Sequence, residues 1–218
     1  MSSPTPHDVR VGKGPMPEQS PVELLHAEYQ LLHRRRPSAL TPDQRRSLTF
    51  FNAELASLGT GKSPANVPRD VVGWVRNLFA LESFVRSEGR LPRENRRLPA
   101  GAISTEERQR ANSVRAQRRA FAAGRLCTYQ ARRLLCIPEF SFHPLEDKWQ
   151  ANCAAYADFT ATHGDAPKLR GADPSERTLA GWAAKTRLAY RVDKLSPSRV
   201  ETLTVLDFWT WGTRDGRE

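Results

Sequence analysis

One segment of the sequence has the residue types and spacing of a phosphate-binding loop. Ala56–Ser63 satisfies a relaxed version of the pattern, in which backbone N–H groups and Lys62 would hold a nucleotide. That chemistry needs a strand before the loop and a helix after it. Here an amphipathic helical stretch precedes the loop, and Pro64 and Pro68 stand where the next helix should begin. We therefore interpret the glycines as part of a linker.

Other signatures of catalysis are missing from the sequence. The three cysteines, Cys127, Cys136 and Cys153, form no close pair of the kind that binds zinc, and the five histidines are scattered. We interpret the cysteines as buried, reduced side chains. The acidic residues form no paired constellation, and no hydrolase or metalloprotease motif is present. The sequence predicts a protein that is not an enzyme, with no metal, no cofactor and no small-molecule substrate.

Arginine is the residue type that carries most of the remaining chemistry. It supplies 28 of the 34 cations, and the formal net charge of the chain is +10. Residues 1–70 contribute +2, residues 71–143 contribute +8, and residues 145–218 are neutral. Such concentration of positive charge in one region is typical of a face that binds a polyanion, most often nucleic acid.

The chain repeats itself in two blocks. At an offset of 75 residues, Trp74 aligns with Trp149 and Gly89 with Gly164. At an offset of 69 the register then runs without a gap from Ser104 to Phe142 of the first copy. Two predicted capping boxes fall in equivalent places, Ser104 with Glu107 and Asp173 with Glu176. Internal repeats of this kind indicate one supersecondary unit used twice.

We predict an all-α fold with two tandem three-helix bundles, at residues 70–143 and 145–212. The apolar spacing predicts helices at 70–87, 105–124 and 128–137 in the first copy, and at 146–162, 174–193 and 197–206 in the second. Alternating aromatic residues close each copy, and we expect them to plug the core. They are Phe140 and Phe142 in the first copy, and Trp209 and Trp211 in the second.

A further helical hairpin is predicted at residues 20–57, where caps at Ser20 and Thr41 begin two amphipathic stretches. Leu40, Leu48 and Phe51 match Leu195, Leu203 and Leu206 at an offset of 155, so the segment is either a half-module or an unrelated hairpin. We expect a disordered tail at 1–19, a linker at 58–69 and a short tail at 213–218. No segment has the apolar length of a membrane span or a signal peptide. This predicts no membrane partner and a cytoplasmic location, associated with the nucleoid if the protein is bacterial.

The second copy carries a set of motifs that resembles a known family. They are Trp149, Leu179-Ala180-Gly181-Trp182, Arg187, Leu195-Ser196-Pro197-Ser198-Arg199, Leu203 and Phe208-Trp209. This pattern resembles the helicase-associated domain, a short helical module that often occurs in tandem beside helicases and is presumed to bind nucleic acid. The order Ala180-Gly181-Trp182 departs from the usual Leu-Gly-x-Trp, and Thr186 replaces a glutamine. The first copy has Ser113 in place of the second tryptophan but keeps Gln117-Arg118. The resemblance implies nucleic-acid binding by a chain whose helicase would be a separate protein.

The predicted binding surface consists of the second helix of the first copy, where Arg108, Arg115 and Arg119 recur on one face, and the start of its third helix. The other predicted DNA-contacting residues are Arg118, Arg125, Arg132, Arg133, Lys185, Arg187, Arg191 and Lys194. Arg118 and Arg187, which match the family's arginine, could instead brace the bundle. The expected partner is double-stranded DNA. The alternatives are an adaptor that binds a protein, through the neutral second copy above all, and an RNA-binding protein.

Overall fold

The computed structural model describes residues 19–60, 67–93 and 101–212, and within these ranges the chain forms eight α-helices and no β-strand. The predicted all-α fold is therefore confirmed. The helices are α1 (Pro21–His33), α2 (Pro42–Thr60), α3 (Arg69–Glu88), α4 (Thr105–Ala122), α5 (Thr128–Leu135), α6 (Pro144–His163), α7 (Pro174–Arg191) and α8 (Pro197–Thr204). None of the helices in these ranges is long and apolar enough to cross a bilayer. The predictions for residues 1–18 and 213–218 lie outside the described residues.

The chain divides into two compact units, Met1–Phe142 (unit 1) and His143–Glu218 (unit 2). Each unit contains one copy of the repeat, and the two copies share their helix boundaries. An offset of 75 residues places both ends of α3 on both ends of α6. An offset of 69 does the same for α4 with α7 and for α5 with α8. The repeat inferred from the sequence is thus a repeat of helix lengths as well.

Backbone conformation repeats at the same offsets. Gly89 and Gly164 end α3 and α6 in the left-handed region, with φ values of 65° and 63°. Gly124 and Asp193 occupy equivalent positions after α4 and α7, with φ values of 63° and 52°. A left-handed aspartate is less favourable than a glycine there, so the turn geometry has been kept although the residue has changed.

The helix caps agree with the sequence in unit 1's hairpin but not in the repeat. Ser20 and Glu23 form both hydrogen bonds of the predicted capping box. At Ser104 only one of the two hydrogen bonds of the predicted capping box forms, from the backbone N–H of Glu107 to Ser104 Oγ. The Glu107 carboxylate instead accepts from the backbone N–H of Arg93 and from the side chain of Arg90. The guanidinium of Arg90 lowers the pKa of Glu107.

The predicted capping box of the second copy is wrong. Asp173 makes no side-chain cap, and Glu176 accepts from the backbone N–H of Lys168 at 2.9 Å. Lys168 and Arg93 are equivalent at the offset of 75, so both glutamates hold the loop that precedes their helix. A short sequence motif predicts the local hydrogen bond but not the competing loop N–H groups.

Unit 1 contains α1 and α2 in addition to its three-helix copy, and these helices are part of its core. α2 packs against α3 and α5, and α1 packs against α2 and α5. The aromatic rings of Tyr29 and Phe51 contact Tyr129 with centroid distances of 4.8 and 5.6 Å. α2 begins where the offset of 155 from α8 places it, but it has 19 residues where α8 has 8. The similarity to the third helix of a module is therefore restricted to its start.

Unit 2 has a smaller core made of its three helices and the closing segment. Its buried apolar residues include Trp149, Tyr156, Leu203 and Trp209. Tyr156 is fully buried, and its hydroxyl donates to the backbone oxygen of Phe208 at 3.1 Å. Phe140, Phe142 and Trp209 are buried and Trp211 packs against the core. The interpretation of the closing aromatics as core plugs is confirmed.

Candidate nucleic-acid interface

A row of arginines lies on the solvent side of α4. Arg108, Arg115 and Arg119, which we call the arginine stripe, are separated by seven and four residues and therefore share one helical face. Arg108 and Arg119 are exposed, and Arg115 is half-buried. The buried residues of α4 are Glu107, Ala111 and Val114, on a different face. Between Arg108 and Pro138 the sequence has eight arginines and no aspartate or glutamate.

One amide side chain beside the stripe was missed in the sequence analysis. Asn112 is exposed, four residues from Arg108 and three from Arg115, on the face of α4 that carries the stripe. Arg115 Nη1 donates to Asn112 Oδ1 at 3.5 Å, which places the amide beside the stripe. Asparagine is polar without charge, so a count of cations overlooks it. Helical spacing would have placed it on this face.

Arg118 and Arg187 do not belong to an exposed surface of this kind. Arg118 Nε donates to the backbone oxygen of Ser141 at 2.8 Å, and its guanidinium lies 5.8 Å from the centroid of Phe140. Arg187 Nε donates to the backbone oxygen of Thr210 at 2.6 Å and lies 4.6 Å from the centroid of Trp209. Both contacts are equivalent at the offset of 69. Of the two roles left open by the sequence, the structure favours bracing of the closing segment.

This role gives a measurable difference between neighbouring arginines. Arg118→Ala removes a charge-assisted hydrogen bond to a backbone oxygen, so we expect it to lower the free energy of unfolding by about 1–2 kcal/mol. Arg119→Ala changes an exposed side chain, and we expect an effect within about 0.5 kcal/mol. Urea denaturation followed by circular dichroism measures both. Equal effects of the two substitutions would contradict the bracing role.

Arg133 is buried, and its placement among the DNA-contacting residues is corrected. Its side chain is 3% exposed, and Nε lies 2.8 Å from Glu54 Oε1 while Nη1 lies 2.7 Å from Glu82 Oε1. Glu54 is fully buried and also accepts from the hydroxyl of Tyr129 at 2.8 Å. A guanidinium enclosed by α2 and α3 cannot reach a phosphate. Its neighbour Arg132 is exposed and pairs with Glu28 of α1 at 2.6 Å.

Electrostatics within this buried group favour the charged arginine. Burial lowers the pKa of Arg133, but its bonds to Glu82 and Glu54 outweigh that effect and the pKa is raised overall. Burial also raises the pKa of the Tyr129 hydroxyl, and the Glu54 carboxylate raises it further. Tyr129 is therefore a neutral donor to Glu54. The group connects α2, α3 and α5 inside unit 1 and acts as a structural element.

Arg125 is at the surface, and so are the predicted DNA-contacting residues of unit 2 other than Arg187. Arg125 follows the left-handed Gly124 and is exposed, and so is its counterpart Lys194. Lys185 and Arg191 are exposed on α7. The stripe itself is not repeated in unit 2, because Arg115 and Arg119 are replaced there by Ala184 and Leu188. The two units thus share a framework but present different surfaces.

The phosphate-loop pattern finds no support in the part of the chain that is described. α2 continues through Thr60, so Gly59 lies inside a helix and no strand precedes the loop. Gly61 to Asn66 lie outside the described residues. No group of three or more histidine, cysteine, aspartate or glutamate side chains within the described ranges could hold a metal ion.

Comparison with known proteins identifies one family. Residues 146–211 match the family model of the helicase associated domain. The matched segment covers α6 from its third residue, α7, α8 and the closing aromatics of unit 2, and it includes Trp149, Arg187 and Trp209. Comparisons with curated proteins and with solved structures gave no match.

Proposed function

From the presence of a helicase-associated domain in unit 2, we propose that this chain is a non-enzymatic DNA-binding protein in which unit 1 supplies the arginine-rich contact face. The observation that carries the proposal is the arginine stripe on α4. Arg108 and Arg119 face solvent, and the sequence from Arg108 to Pro138 contains no aspartate or glutamate. A surface of this composition attracts the phosphate backbone of nucleic acid. Such a protein would be cytoplasmic, and on the nucleoid in a bacterium.

Duplex DNA fits the stripe better than duplex RNA. Arg108 and Arg119 are separated by about 16 Å along the axis of α4. This exceeds the ~12 Å width of the B-DNA major groove, so arginines at the two ends can contact phosphates on both sides of it. The major groove of A-form RNA is too deep and narrow for a helix to enter.

The amide beside the stripe fits the same docking mode. Asn112 would face the groove floor when the arginines contact the phosphates. Amide side chains pair with the edge of adenine, whereas phosphate contacts carry no sequence information. In this proposal Arg108, Arg115, Arg119 and Arg125 set the affinity, and Asn112 contributes any sequence preference.

A salt titration tests the proposal and separates it from its alternatives. The full chain is titrated against duplex DNA, duplex RNA and single-stranded DNA at several salt concentrations in a gel-shift assay. We expect the duplex DNA complex to be the tightest. The logarithm of its affinity should fall linearly with the logarithm of salt concentration, with a slope of about −4 for four phosphate contacts. Tighter binding to duplex RNA would favour RNA binding, and no binding to any of the three would favour a protein adaptor.

A further inference from the structure

We propose that unit 2 has a docking surface for an acidic, apolar segment of a protein partner. The surface consists of Leu188 on α7 and Val192, which directly follows α7, with Lys185, Arg191 and Lys194 around them, and we call it the α7 patch. It lies within unit 2 alone. The proposal does not rest on DNA binding by unit 1.

The apolar centre of the patch faces solvent. Leu188 is 53% exposed and Val192 is 51% exposed. They are four residues apart, so their side chains are adjacent on the helix. The core of unit 2 takes the other side of α7, where Leu179, Ala183 and Thr186 are buried. The two large apolar side chains therefore contribute little to the stability of the bundle and are available to a partner.

Comparison with unit 1 shows that the framework does not require apolar residues here. The position of Leu188 is occupied in unit 1 by Arg119, and that of Val192 by Ala123. Both counterparts are exposed, and α4 and α7 are equal in length. The apolar character is thus a property of unit 2's surface and not of its fold.

Charge determines the class of partner. Lys185, Arg191 and Lys194 are exposed, and Asp193 is the single carboxylate in the sequence between Lys185 and Arg199. The cations select an anionic partner. A nucleic acid backbone would satisfy them but has no apolar group to cover Leu188 and Val192. A helix with large apolar residues four apart and carboxylates beside them complements both features.

A peptide selection tests this assignment. A displayed library of random peptides of about 16 residues, enough for ~24 Å of helix, is selected against the full-length chain. We expect enriched peptides to carry net negative charge and large apolar residues three or four positions apart. The variant Leu188→Asn with Val192→Asn should bind synthetic versions of these peptides at least about tenfold more weakly, because the apolar contact is lost.

Two further variants make the selection decisive. Val205→Asn changes a side chain that is 80% exposed in unit 2 but lies outside the patch, and it should leave peptide affinity unchanged. Lys185→Glu with Lys194→Glu should weaken binding and reduce its dependence on salt. All these substitutions are on exposed side chains, so the melting temperature should stay within a few degrees of the wild type.

Three results with peptides would overturn the proposal. They are the absence of enriched peptides, enriched peptides that are basic, and peptides whose affinity is the same for the patch variant and the wild type. Each variant is also titrated with duplex DNA. A loss of DNA affinity by Leu188→Asn with Val192→Asn would identify the patch as a DNA contact and would also overturn it.

Discussion

Reversing the arginine stripe by Arg108→Glu, Arg115→Glu and Arg119→Glu is expected to reduce the affinity of the chain for duplex DNA by on the order of 10³-fold or more. Three charge-assisted contacts to phosphates are lost, each worth about 1.5–3 kcal/mol. The salt dependence should also become less steep, by about one unit of slope for each lost contact. Gel-shift titrations of the wild type and the triple variant at several salt concentrations measure both effects.

Matched charge reversals show whether the position of the arginines matters. Arg34→Glu, Arg35→Glu and Arg36→Glu change the net charge by the same amount on exposed residues that follow α1. We expect this control to weaken DNA binding far less, because only the general attraction falls. Lys185→Glu with Arg191→Glu in unit 2 should also have a smaller effect. Similar losses from the stripe and from either control would contradict a binding site on α4.

Replacing Arg133 by alanine is expected to destabilise unit 1 by about 3–5 kcal/mol. The substitution removes the cation between Glu54 and Glu82 and leaves Glu54 buried without its charged partner. The cost of breaking a buried ion pair from one side lies in this range. Thermal and urea denaturation of the full chain, followed by circular dichroism, would show an earlier transition for unit 1.

Unit 2 provides the matched control for this substitution. Thr202 is the counterpart of Arg133 at the offset of 69, and it is exposed. Thr202→Ala should change the free energy of unfolding by no more than about 0.5 kcal/mol. A small effect of Arg133→Ala, equal to that of Thr202→Ala, would show that the buried pair does not stabilise unit 1.

The repeat could be predicted from the sequence because it depends on local signals. Apolar spacing, Gly89 and Gly164 at helix ends and prolines at helix starts are properties of short segments. They predicted the six helices of the two copies to within two residues at each end. The exposed positions of Arg108 and Arg119 followed from the same helical periodicity. This part of the site therefore required no tertiary information.

The role of Arg133 could not be predicted in this way, because it depends on a helix that is distant in the sequence. Arg132 and Arg133 are adjacent and chemically identical, yet α1 and α2 leave the first exposed and bury the second. In the second copy the equivalent positions are not covered, since Tyr129 and Arg133 correspond there to the exposed Ser198 and Thr202. Where the second copy has a serine and a threonine, the first copy has a tyrosine and an arginine. This difference was the available signal that another element covers α5.

The prediction of complete capping boxes in the two copies failed for a related reason. Glu107 and Glu176 have the spacing of a capping box, but backbone N–H groups of Arg93 and Lys168 compete for their carboxylates. Which donor is nearer depends on the path of the preceding loop. Likewise, the sequence could not decide whether Arg118 and Arg187 contact DNA or brace the closing segment. The backbone oxygens of Ser141 and Thr210, which accept their hydrogen bonds, cannot be located from a sequence pattern.

Chemical footprinting of arginine is the most direct test of the central claim that unit 1 binds duplex DNA through α4. The full chain is treated with an arginine-specific reagent with and without duplex DNA, and the modified positions are read by mass spectrometry. We predict that DNA protects Arg108, Arg115 and Arg119 and leaves Arg34, Arg35 and Arg36 reactive. Protection of Arg177 and Arg191 in unit 2, with the stripe still reactive, would contradict the account.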